Sequence, residues 1–329
     1  MTIIPPKLKP GDEIRVIAPS RSLSILSEEQ IKEAQANFEK QGFRITFSRN
    51  CRESDIFDSS SIQSRVQDLH EAFADHRVKA IFTAIGGFNA NQILEYLDYQ
   101  LIADNPKILC GYSDITALTN AITAKTGLIT YSGLHFSTWQ MRKGFDYNLS
   151  YFQKCLIDDA EFAILPSDTW SDDAWYIDQE NRNFIENEGF ITLNPGEAQG
   201  TIWGGNLCTL NLLQGTKFMP DISGSLLFIE DDDFAGAYFD VEFDRNLQSL
   251  IHQPNFDKVQ GIVIGRFQEK SAMNTKKLKH IIKTKSALSH IPIIANVDFG
   301  HTNPLITFPI GGTAQLKGNN KVELKIIQH

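Results

Sequence analysis

The chain has 329 residues, 42% hydrophobic and 22% charged, which is ordinary globular composition and long enough for two domains. A net charge of −9, from 31 basic and 40 acidic residues, argues against a nucleic-acid binder, which needs clustered Lys and Arg along a phosphate backbone. Four cysteines, none in a C-x-x-C pair, do not make a disulfide scaffold. The N-terminal stretch lacks a signal-peptide apolar region, and no run approaches the ~18 apolar residues of a membrane helix. A soluble, cytoplasmic protein with no membrane contact is expected.

In chain order, Ile14-Arg-Val-Ile-Ala-Pro19 reads as a short buried strand. Ser27 and Gln30 spell a capping box that opens a helix, and Gly42 marks its end. Ile45–Phe47 is a second strand. Ile62, Val66, Leu69 and Phe73 form one face of a helix over 61–75. Ala80–Ile85 is a strand running into Gly86-Gly87, followed by a helix carrying Ile93, Leu94 and Leu97. Lys107–Cys110 is a further strand. The turn Gly111-Tyr-Ser-Asp114 and a helix over Ile115–Lys125, closed by Gly127, complete the alternation. Strand–helix alternation of this kind predicts an α/β fold with a parallel sheet covered on both faces.

The pattern changes after about residue 165. Residues 166–200, rich in Asp, Asn, Glu and Trp, read as a long loop with one hairpin. Beyond them, Leu226–Glu230, Gly261–Ile264 and Ile291–Ala295 are strand-like, with helices near 241–252 and 274–288. The tail Val322–Ile327 alternates like an edge strand. The division expected is an N-terminal α/β domain (1–165), the loop (166–200), and a smaller, strand-rich α/β C-terminal domain (201–329).

Ser113 lies between a strand and a helix, where a sharp turn would lift its hydroxyl to the sheet edge and aim helix amides at a developing oxyanion. This is the logic of a nucleophile elbow, although Ile115 stands where the last glycine of G-x-S-x-G would be. The same residues also fit a Ser that caps the helix with help from Asp114. Gly87, in the loop after a neighbouring strand, could join the amide of Asp114 in an oxyanion hole, or be a plain turn. A serine nucleophile needs a base, usually a histidine oriented by a carboxylate. His301, between Gly300 and Thr302-Asn-Pro304, is poorly placed for packing and is the first candidate; His135 competes. Glu230 ends a strand and opens the run Glu230-Asp-Asp-Asp233, which could also be a solvated acidic turn. No His, Cys and Asp spacing reads as a metal-ligand set, so a metal enzyme is not expected, although the acidic run could hold an adventitious divalent cation.

Together, Leu8-Lys-Pro-Gly-Asp12 with Val16-Ile-Ala-Pro-Ser20, Ala84-Ile-Gly-Gly-Phe-Asn89, Gly111-Tyr-Ser-Asp-Ile-Thr116, Trp203-Gly-Gly-Asn-Leu207, Phe228-Ile-Glu-Asp231, Gly261–Arg266 and Asp298-Phe-Gly-His-Thr302 resemble one family over nearly the whole chain. It is that of the LD-carboxypeptidases and their relatives, the microcin C immunity peptidases. The resemblance implies a Ser113–Glu230–His301 triad, oxyanion amides from Gly87 and Asp114, no cofactor, and a homodimer. It implies cleavage of an amide between an L- and a D-residue in a small peptide, or of a peptidyl-nucleotide. Trp170 and Trp175 resemble the tryptophan-bearing loop of the immunity branch, in which tryptophan stacks on a nucleotide base; they could equally anchor the loop as buried indoles. Asn206 is the further substrate contact the resemblance implies. One departure is that no basic residue follows Glu230, where an acidic toxin would want one. A two-lobed binding protein, or an esterase or amidase using the same residues, would give much of the same pattern.

Overall fold

The strand Glu13–Ile17 is buried along almost its whole length, as expected of a strand covered on both faces. In the computed structural model, which describes residues 2–319 and 321–329, it lies parallel between Arg44–Phe47 and Val78–Thr83. Ile108–Cys110 and Thr130–Ser132 continue the parallel sheet. The strand Phe308–Ile310, from far along the chain, closes its edge in the antiparallel sense. The helix Glu28–Lys40 has the expected capping box, with Ser27 and Gln30 each accepting from the other's backbone N–H. Ile62–Ala74 and Ile115–Thr126 also form as read, the latter ending at a left-handed Gly127.

A second sheet runs in the order Phe162–Ile164, Val322–Gln328, Thr313–Gly318, Gly196–Asn206, Ser225–Glu230, Gly261–Gly265, Ile293–Val297, Ile191–Asn194. Its four central strands, from Gly196–Asn206 to Ile293–Val297, are parallel, and the outer ones antiparallel. The α/β class, with a parallel first sheet and a strand-rich second unit, is as expected.

Several elements differ from expectation. The tail strand Val322–Gln328 is not an edge, because Phe162–Ile164 pairs with its outer side. The 166–200 region holds the expected hairpin, Thr169–Trp170 with Ile185–Glu186, but also the strand Ile191–Asn194 and the start of Gly196–Asn206. The helix expected around Ile93 is a 3-10 turn, Ala90–Tyr96, followed by a short helix, Tyr99–Asp104. Its tight winding is held from outside by bonds described below. The helix expected over 274–288 stops at Lys283 and resumes as a 3-10 turn, Ser286–Leu288. All four cysteines are free. No helix among the described residues is long and apolar enough to cross a membrane.

Candidate active site

Ser113 is held in a left-handed conformation, φ 59°, which a non-glycine residue adopts only under constraint. The strand Ile108–Cys110 delivers it to the sheet edge, and the helix Ile115–Thr126 starts two residues later. The side chain of Asp114 makes no cap bond to that helix. It turns away, and its Oδ2 accepts from the Ser20 hydroxyl and from the N–H groups of Asn89 (2.9 Å) and Ala90 (2.8 Å). The buried Arg65 grips the same loop, donating to Asn89 O at 2.9 Å and to Gln92 Oε1 at 2.7 Å. These bonds fix the Gly86–Gly87 loop beside the serine. Position 87 has to be glycine, because a Cβ there would collide with Ser20 Oγ and come within 2.8 Å of Arg21 Cγ. Among the described residues, neither the Gly87 nor the Asp114 N–H has an acceptor.

Three side chains from separate elements form one hydrogen-bonded chain. Ser113 Oγ lies 3.0 Å from His301 Nε2, and Glu230 Oε2 accepts from His301 Nδ1 at 2.8 Å. A carboxylate can only accept, so Nδ1 carries a proton, and once the ring is neutral Nε2 faces the serine as an acceptor. Glu230, at the end of Ser225–Glu230, is 2% exposed. Gly300 lets it approach, since a Cβ there would lie 2.6 Å from Glu230 Oε2. Burial pulls the His301 pKa down, but the charge and hydrogen bond of Glu230, with Asp232 and Asp231, outweigh it and raise it to about 9. Asp232 Oδ2 is 4.0 Å from Nε2.

His135, the competing histidine, is buried near the serine but makes no hydrogen bond to it. A Cβ on Gly86 would be 3.3 Å from Ser113 Oγ and 3.4 Å from His135 Nε2. Its Nδ1 meets Thr83 Oγ1 at 2.7 Å, and Nε2 has no partner. Burial, then the positive charges of His301 and Arg21, hold its pKa down to about 3, so it stays neutral. Tyr112 separates the two imidazoles, stacked on His135 at 4.3 Å and tilted to His301 at 5.6 Å. Sequence reasoning missed Tyr112, Arg65 and the Asp114 carboxylate. The only signal was an Asp directly after the serine.

Asn206 is buried and caps the helix Leu207–Asn211; its Nδ2 donates to Asp231 Oδ1 at 3.3 Å and Asp232 Oδ2 at 3.4 Å. Cys208, Asp231 and Asp232 bring their ligand atoms within 4.8 Å of one another, a grouping invisible in the spacing. Burial raises the Cys208 thiol and pushes Asp231 up to about 7, so this is a partly neutral, hydrogen-bonded cluster. Trp170 stands in the hairpin with the Arg266 guanidinium 5.0 Å from its ring centre, and Arg266 pairs with Asp298 at 3.2 Å. Trp175 is half-buried and packs edge-on to Tyr176. The loop between them is tied by Asp173–Arg182 (2.8 Å) and, at Ser171, by paired backbone bonds to Asn303, two residues after His301.

A mostly parallel sheet presents a strained serine at its edge, facing a histidine and a buried glutamate from the second sheet, a geometry able to support nucleophilic attack by the serine. Residues 14–133 match the LD-carboxypeptidase N-terminal domain and residues 199–316 the LD-carboxypeptidase C-terminal domain. The chain belongs to the LD-carboxypeptidase family of peptidases. YocD of Bacillus subtilis is 55% identical over 94% of this chain and 95% of its own length. The microcin C7 self-immunity protein MccF of Escherichia coli is 30% identical over 94% and 92%. The crystal structure of an MccF-like protein from Bacillus anthracis superposes with a TM-score of 0.99 at 54% identity, covering both chains completely. MccF in complex with aspartyl sulfamoyl adenosine gives 0.87 at 27% identity, over 99% of each chain.

Proposed function

We propose that this chain is a serine peptidase that hydrolyses an amide bond near the C-terminus of a small peptide or peptide–nucleotide conjugate. The observation that carries the reading is the unbroken chain Ser113–His301–Glu230 beside two amides without acceptors. Neutral His301 takes the Ser113 proton as Oγ attacks the carbonyl carbon. The oxyanion receives the N–H groups of Gly87 and Asp114, already aimed by the loop bonds of Asp114 and Arg65. His301 then gives the proton to the leaving nitrogen, and an acyl-enzyme remains. A water, deprotonated by His301, attacks the ester and frees Ser113. Glu230 keeps the proton on Nδ1 and stabilises the imidazolium.

Two substrate classes fit. One is the L,D-amide of a murein peptide, since a relative in Pseudomonas aeruginosa, 25% identical, is a murein tetrapeptide carboxypeptidase. The other is an aminoacyl-nucleotide, as in the MccF complex. In the second case Trp170 and Trp175 would offer aromatic faces to the base and Asn206 a polar contact beside Asp231. We further propose a cytoplasmic homodimer; Phe234, Tyr238 and Val241 expose large apolar side chains within eight residues, and light scattering on the purified protein tests the assembly.

The purified chain and its Ser113→Ala variant are incubated with an L,D-linked tetrapeptide and with aspartyl sulfamoyl adenosine, and products are identified by mass spectrometry. Wild-type cleavage of at least one substrate is expected, with a loss of at least about 10⁴-fold in the variant. Equal turnover by both proteins overturns the serine mechanism.

A further inference from the structure

Arg21 follows Ser20 in the loop after the first strand. Its backbone N–H donates to Gly86 O at 3.3 Å, and its side-chain stem lies along Gly87. Gly86, in turn, packs on Ser113. The Arg21 side chain therefore starts out along the oxyanion loop, and its positive charge reaches the buried His135. Its Nε is shielded from solvent and has no hydrogen-bond partner. No ion pair among the described residues includes it. Arg65 Nε and Arg182 Nη2 are likewise without a partner, but those side chains are anchored through their other nitrogens, Arg65 to Asn89 and Gln92 and Arg182 to Asp173, as Arg266 is to Asp298; among the described residues no side-chain nitrogen of Arg21 is anchored. An enclosed donor without an acceptor is costly, more so in a charged group, so a ligand that supplies the acceptor binds more tightly for doing so. On the His301 side of Ser113, Glu230 to Asp233 are four consecutive carboxylates with no Lys or Arg among them. That acidic run disfavours a substrate anion, and the Arg21 guanidinium, without an ion-pair partner among the described residues, offers it a counter-charge.

We propose that Arg21 is the specificity-determining residue of this site, binding the anionic group that lies one or two bonds beyond the scissile nitrogen. The inference rests on the serine-peptidase reading. In a peptide that group is the α-carboxylate of the released residue, whose carbon is two bonds from the nitrogen. In an aminoacyl-nucleotide it is the sulfamate, whose sulfur is bonded to the nitrogen itself. Either presents paired oxygens to a planar guanidinium fork, which binds them bidentately. A longer polypeptide would put a neutral amide there and leave the fork unpaired. Arg21 thus makes the site act at chain ends rather than within chains.

The test compares wild type, Arg21→Gln and Arg21→Lys on three substrates: an L,D-linked tetrapeptide acid, its C-terminal carboxamide, and aspartyl sulfamoyl adenosine. In wild type the acid is expected to exceed the carboxamide in kcat/KM by about 10- to 100-fold. Arg21→Gln collapses that ratio towards one, and Arg21→Lys restores part of it, which a merely misfolded loop would not do. A collapse confined to the sulfamoyl conjugate supports the proposal with the sulfamate as the bound anion. An acid-to-amide ratio and a sulfamoyl rate that are both the same in wild type and Arg21→Gln overturn it, as does a uniform loss on all three substrates. A wild type that cleaves none of the three overturns the serine-peptidase reading itself, a different and recognisable result.

Discussion

With its pKa raised to about 9, His301 of the resting site is an imidazolium at pH 7 and cannot accept the Ser113 proton. In the proposed mechanism kcat/KM therefore climbs with pH until the ring loses its proton. Part of the rise comes from Asp232, 4.0 Å from Nε2. Asp232→Asn removes that negative charge, makes the imidazolium less favourable, and is expected to move the ascending limb to lower pH. A profile of kcat/KM from about pH 6 to 10 reads this directly; a limb that stays put removes Asp232 from the account. The same raised pKa also bears on stability. The contribution from the His301⁺–Glu230 pair is fully present below the free-histidine pKa and is lost as pH rises through about 9. None of this was legible as a pattern. Ser113 and His301 are 188 residues apart, and Glu230 and His301 are 71 apart. Each could be read only as a polar residue at the end of an apolar run, and a family resemblance was needed to join them. Arg21 looked like any loop arginine, because what sets it apart is that none of its side-chain nitrogens is anchored, which no sequence pattern shows.

Among the elements, the turn at Ser113 and the turn at Gly87 behave as one unit because the Asp114 carboxylate binds both. Asp114→Ala leaves the N–H groups of Asn89 and Ala90 without their acceptor. It is expected to destabilise the fold by about 3 kcal/mol, seen as a lower urea midpoint at unchanged slope. In the proposed mechanism kcat falls more than KM rises, since the oxyanion amides lose their aim while the rest of the cleft is intact. Asp114→Asn, which keeps one acceptor oxygen, should lose less. Reading this carboxylate as a helix cap was the natural inference from a Ser-Asp pair before a helix. It failed because the competing donors sit in the loops after two other strands of the sheet, Asn89 and Ala90 after Val78–Thr83 and Ser20 after Glu13–Ile17. The long strand Gly196–Asn206 was hidden for another reason. It carries four glycines and little apolar alternation, so it reads as loop. At Gly204 the neighbouring strand comes so close that a Cβ would strike the Phe228 carbonyl oxygen. Where periodicity was strong, as in Glu28–Lys40 and Ser225–Glu230, boundaries came within a residue or two of expectation.

At the level of the whole molecule, the two sheets share their interior. One apolar cluster runs from Ile14, Phe82 and Trp139 to Phe228, Val263 and Ile326, and the other from Ile17 and Leu118 to Ile229 and Phe243. Strands are also exchanged, Phe162–Ile164 joining the second sheet and Phe308–Ile310 the first. Neither segment is long enough to announce itself by pattern. Such a molecule is expected to unfold in one step. Denaturation followed separately through the buried Trp139 and through Trp203, each kept as the sole reporter by Trp→Phe changes elsewhere, should give coincident transitions. Two separated midpoints would mean that the halves stand alone.

The placement of Phe308–Ile310 has a consequence for synthesis. The strand it covers, Thr130–Ser132, leaves the ribosome about 175 residues earlier, which at roughly 5–20 residues per second is on the order of ten to thirty seconds. For that interval the nascent first sheet carries an open apolar edge, the kind of surface that recruits chaperones or pairs with a neighbouring nascent chain. His301, the base of the proposed mechanism, emerges only just before the strand that closes this edge, so in that mechanism catalytic competence and closure of the first sheet arrive together.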